Sequence, residues 1–127
     1  MRRKLLITIF LISITHLLFN YQRIQIDGWG AELFSIFFGE DTVYSNDFSN
    51  RNFRKVKNGM TEKQVVDLLG QPLSKFAYKW VDNKTYNDKR FIGFKYSETP
   101  NGSDYRLRII HLDKCIVVGI MGEFYLD

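Results

Sequence analysis

The spacing of apolar positions changes character along this chain, and each change predicts an element. Leu5 to Phe19 reads LLITIFLISITHLLF, an uncharged apolar run that follows the basic residues Arg2, Arg3 and Lys4. That order is the pattern of a signal anchor or a signal peptide. The run is shorter than the roughly 20 residues that span a bilayer comfortably. The bulky, polar stretch Phe19-Asn20-Tyr21-Gln22-Arg23 offers no small-x-small cleavage site, which favours an uncleaved anchor over a cleaved signal. A buried helix of a soluble protein is the remaining alternative. Basic residues before the run and none until Arg23 place the N-terminus in the cytoplasm and the rest of the chain outside.

Helical spacing returns at residues 59–72, which mark both ends of one short helix. Thr61 with Gln64 three residues on makes a capping box, and Met60 with Val65 makes a hydrophobic staple. Val65, Leu68 and Leu69 form the apolar stripe. Gly70 is suited to a left-handed conformation past the end, and Pro72 forbids continuation. An earlier helix is expected from Phe48 or Ser49 to Lys57, with Phe53 and Val56 inward and Arg51, Arg54 and Lys55 outward. Asn58-Gly59 ends it, so the two helices form an αα-hairpin with a linker of about three residues.

After Pro72 the period becomes two. Phe76, Tyr78 and Trp80 alternate with Lys75, Ala77 and Lys79 in a first strand. Phe91 to Ser97 is a second, with Ile92, Phe94 and Tyr96 on one side. Tyr105, Leu107 and Ile109 alternate with Arg106 and Arg108 in a third, and Cys115 to Met121 is a fourth. The expected fold class is α+β: a helix hairpin packed on an antiparallel meander of three or four strands, in the order α-α-β-β-β-β, behind an N-terminal apolar helix. Three segments follow: 1–22 as the anchor or signal, 23–47 as a connector, and 48–127 as the α+β domain. Within the connector, Trp29, Leu33, Phe34, Ile36, Phe37 and Phe38 crowd together. They suit either a helix at the membrane surface or a segment packed on the core.

Composition narrows the partners. Arg2, Arg3 and Lys4 supply three of the 18 basic residues, which leaves 15 against 14 acidic ones beyond them. The folded part is therefore near neutral, and a nucleic-acid partner is not expected. One cysteine, Cys115, makes neither an intrachain disulfide nor a zinc site. No phosphate loop, paired carboxylates or metal-spaced cluster occurs, so no cofactor and no metal are expected. A Cys115–His111 pair across a hairpin is the one conceivable catalytic constellation; a surface histidine and a buried thiol are the plainer reading.

The block Val56-Lys57-Asn58-Gly59-Met60-Thr61, then Val65-Val66-Asp67-Leu68-Leu69-Gly70-Gln71-Pro72, with the aromatic strand Tyr78-Lys79-Trp80 after it, resembles the SmpA/OmlA (BamE-like) family. The resemblance implies a small bacterial envelope protein with an α-α-β-β-β fold, within the wider beta-lactamase-inhibitor-protein-like group. Its motif residues here are Gly59, Met60, Thr61, Gln64, Leu68, Leu69, Gly70 and Pro72. Family members of the BamE type carry a lipid on a cysteine after the signal sequence, and this chain has no cysteine there.

The functional expectation is a non-catalytic envelope protein, held in the membrane through residues 5–19, whose domain outside the cytoplasm binds another protein in an assembly or scaffold role. If the segment is cleaved, the domain is released to the periplasm. The candidate partner-binding residues are Arg51, Arg54, Lys55, Tyr78, Trp80 and Tyr96. The alternatives are an inhibitor or immunity-type protein that neutralises an envelope enzyme, and a small enzyme using Cys115.

Overall fold

The computed structural model describes residues 2–77 and 91–126. Helix α1 runs over Arg2–Phe38, and it is long and apolar enough to cross a membrane by length and composition. It is not straight. Gly28 has φ 84° and ψ 169°, a conformation open essentially to glycine alone, and it divides α1 into two arms. His16 and Glu32 lie sixteen residues apart yet their side chains meet at 3.1 Å. A straight helix would separate them by about 24 Å along its axis. The second arm therefore turns back toward the first. The segment expected as a connector, 23–47, is thus helical as far as Phe38.

The other elements are β1 (Val43–Tyr44), α2 (Asn50–Phe53), α3 (Glu62–Leu69), β2 (Ser74–Ala77), β3 (Phe91–Lys95), β4 (Ser97–Glu98), β5 (Tyr105–Asp113) and β6 (Ile116–Tyr125). Strands β2-β3-β5-β6 form an antiparallel four-stranded sheet, and β1 pairs with β4 in a small second one. Residues 43–44, within the segment expected as a connector, thus form a strand. The chain passes between the sheets at Tyr96, whose N–H donates to Arg108 O and whose carbonyl accepts from Ser45 N.

Helix α3 forms where its caps predict. Thr61 Oγ1 accepts from Gln64 N at 3.2 Å, and Gln64 Oε1 accepts from Thr61 N at 2.8 Å. Gly70 ends it at φ 75° and ψ −170°, so it leaves in an extended mirror-image conformation rather than the expected left-handed one. That sends the chain straight past Pro72 into pairing, where Leu73 N donates to Lys95 O. Helix α2 is only one turn long, shorter than the sequence suggested. Its asparagines are engaged elsewhere: Asn50 Oδ1 accepts from Arg108, and Asn52 Nδ2 donates to Leu68 O, one of the open carbonyls of α3.

The linker between α2 and α3 is longer than a tight hairpin and is stitched to β6. Gly59 N donates to Val117 O, Val117 N to Met60 O, and Glu62 N to Cys115 O. Phe53, Val56, Val65 and Leu69 share one core with Phe94, Tyr96, Ile110, Leu112 and Val117. Leu68 is only half-buried.

Candidate functional site

Strand β5 forms where the sequence indicates and is buried on both faces, and the face it turns to the helices carries arginine. Arg106 and Arg108 are fully buried, beside Ile110 and Leu112. Their partners come from α1 and the residues after it. Asp27 Oδ2 accepts from Arg106 Nη1 at 2.6 Å, and its two oxygens accept from Arg108 Nη1 and Nη2 at 2.8 and 2.7 Å. Glu32 Oε2 accepts from Arg106 Nη2 at 2.9 Å. Glu40 Oε2 lies 2.6 Å from Arg106 Nε but out of line for a hydrogen bond, so that contact is one of charge. Arg23 bridges Glu32 and Glu40 at 3.6 and 2.9 Å.

Three guanidiniums thus face three carboxylates, with His16 at the rim on Glu32. Burial opposes the charge on Arg106, but the Asp27 hydrogen bond and the Glu40, Asp27 and Glu32 charges outweigh it and hold its pKa above the ordinary value. Such a cluster adds little stability over a well-packed apolar core, whereas removing one partner leaves a buried charge uncompensated. Its aromatic surround includes Phe124 beneath Arg106 and Phe53 beneath Arg108.

The expected partner-binding residues separate into groups. Arg51, Arg54 and Lys55 are exposed on and just after α2. Arg54 donates to Gln22 Oε1 at 2.6 Å and covers the Tyr21 ring, so this basic surface abuts the first arm of α1. Tyr96 does not belong with them. It is fully buried in the core, its hydroxyl donates to Gly70 O at 3.1 Å, and burial, with the Glu62 charge adding to it, raises its pKa. Tyr78 and Trp80 lie outside the described residues.

The conceivable Cys115–His111 pair does not form. His111 pairs with Gly119, while Cys115 sits at the hairpin tip with φ 64° and is exposed rather than buried. Lys114 and Cys115 both take positive φ, as a two-residue type I′ turn requires. Among the described residues no group of His, Cys, Asp and Glu is placed to hold a metal ion.

The far face of the sheet carries Leu107 and Ile109, with the Tyr105 and Tyr125 rings 5.6 Å apart beside them and Met121 exposed on β6.

No protein-family model, no curated protein and no solved structure matches this chain. The residues that sequence reasoning missed are Arg23, Asp27, Glu32, Glu40, Arg106 and Arg108. A signal was present: three acids in a segment otherwise rich in aromatic and aliphatic residues, and an Arg-x-Arg inside an apolar strand.

Proposed function

We propose that the chain is a membrane-tethered envelope protein whose α+β domain, outside the cytoplasm, binds another protein without catalysis. The observation that carries this reading is the first arm of α1. Every residue from Arg3 to Thr15 is exposed, so the apolar run as far as Thr15 packs on nothing among the described residues. That same helix continues without interruption to Asp27, which is locked to β5. A bilayer is the natural solvent for such a run.

In this reading α2 and α3 act as one helical cover of the sheet, in the manner of the SmpA/OmlA-like proteins the motif resembles. Arg51, Arg54 and Lys55 offer a basic rim for an acidic partner, and the exposed Met121 and Tyr125 on β6 offer apolar and aromatic contact.

Alkaline carbonate extraction of cell membranes, with N-terminal sequencing of the mature chain, tests the tether. Retention in the pellet with residues 5–19 intact supports it, and recovery in the soluble fraction overturns it. Photo-crosslinking from positions 51 and 55 in cells tests recognition. A discrete crosslinked protein lost on Arg54→Glu supports the binding role, and the absence of any crosslinked product at both positions counts against it.

A further inference from the structure

The second arm of α1, residues 29–38, packs Phe34 inward on Phe124 and carries a second apolar stripe on its outer face. Trp29, Leu33, Ile36 and Phe37 recur at the spacing of one helical face and are 58, 54, 55 and 77% exposed. Glu32, its one acidic side chain, points inward and is 3% exposed. A helix docked on a protein core and bathed in water turns its apolar stripe inward and its charges outward. Here the charge is inside, engaged by Arg106 alongside Phe34 on Phe124, and a stripe of large apolar side chains is outside.

The arm's position is fixed against the apolar run. Glu32 meets His16 at 3.1 Å, and Glu40, just beyond the arm, meets Arg23 at 2.9 Å. Both ties fall at residues 16–23 of the first arm, the level at which the run ending at Phe19 gives way to Asn20, Gln22 and Arg23. Eight helical residues cover about 10 Å, comparable with the depth of a bilayer's interfacial layer. The arm that carries the exposed stripe is therefore held beside the end of the apolar run.

We propose that residues 29–38 are a membrane-interfacial helix, its stripe of Trp29, Leu33, Ile36 and Phe37 lying in the lipid surface. The Gly28 turn and the carboxylate–arginine cluster hold the α+β domain flush against the bilayer. The occupant of the stripe is lipid, not protein, and the domain has no freedom to swing on a flexible stalk. This rests on the tether proposed above.

The test uses the full chain in vesicles of phosphatidylethanolamine and phosphatidylglycerol. Trp29 and Trp80 are the two tryptophans, so Trp80→Phe leaves Trp29 as the sole reporter. Its fluorescence is read with lipids brominated near the carbonyl end or near the methyl end of the acyl chain. Strong quenching by shallow bromines and weak quenching by deep ones is expected, together with loss of the shallow quenching in Leu33→Ser/Phe37→Ser. An unquenched Trp29 in a chain that still resists carbonate extraction overturns the proposal and leaves the tether standing. Strongest quenching by deep bromines also overturns it, because the arm is then inserted as a hairpin. A chain that fails to enter vesicles at all sinks the tether and, with it, this inference.

Discussion

Asp27 and Arg108 are 81 residues apart and meet fork to fork, both carboxylate oxygens accepting from both terminal nitrogens of the guanidinium at 2.8 and 2.7 Å. Neither side chain is exposed. Asp27 also carries Arg106, so its removal leaves two buried cations short of a partner. Asp27→Asn is expected to cost about 3–5 kcal/mol in urea unfolding of the detergent-solubilised chain. The exposed Lys63–Asp67 pair, 2.6 Å apart on α3, is the contrast: Asp67→Asn is expected to change stability by less than about 0.5 kcal/mol. Equal effects at the two positions would refute the structural role assigned to the cluster.

Leu69 is fully buried and Leu68 only half-buried, although both belong to the stripe the sequence indicates. Leu69→Ala is therefore expected to destabilise the domain by about 2–5 kcal/mol, and Leu68→Ala by less than about 2. The reverse ranking in chemical unfolding would mean that α3 is rotated from the orientation described.

Gly70 is closed to other residues twice over. Its φ of 75° is strained for any side chain, and a Cβ there would lie 2.5 Å from Asp47 Cβ. Gly70→Ala is expected to lose about 1–3 kcal/mol. Asp47→Gly in the same chain should recover the steric part and leave the backbone part.

His111 has its pKa lowered by burial. The unfolded chain then takes up a proton near the ordinary value of about 6.5 before the folded one does. Stability at this position is thus greatest above that value and is lost as pH falls from it toward the lower folded pKa. The difference in urea midpoint between the wild-type chain and His111→Gln should open as pH drops below the ordinary histidine range. A difference independent of pH would show that the ring is not desolvated.

Cys115 stands at the tip of the β5–β6 turn. A maleimide should label it in the native chain about as fast as in the urea-unfolded one. Strong protection would mean that the tip is covered, by lipid or by a partner.

Several elements were legible before any tertiary contact was known. The capping box of Thr61 and Gln64 and the stop at Gly70 and Pro72 depend on neighbours within a turn or two, and they form where the pattern indicates. Strands β3, β5 and β6 form where the sequence places strands. The linker between α2 and α3 did not follow local reasoning, because Gly59 bonds to β6 and Glu62 to Cys115 in the β5–β6 turn rather than closing a tight turn. Tyr96 looked like a surface anchor because an aromatic residue in a strand reads the same on either face. Its place in the core depends on α3 arriving above it.

By itself, then, the chain's order of residues determined what repeats over short distances: an uncharged run at the start, a capped helix, and strands of period two. Tertiary structure decided which face of β5 the helices would meet. Alternation defines two sides of a strand but does not rank them, and arginine enters a core only when carboxylates come to meet it. Glu32 and Glu40 join Asp27 at Arg106 because Gly28 folds α1 back on itself, a placement no window of neighbouring residues contains.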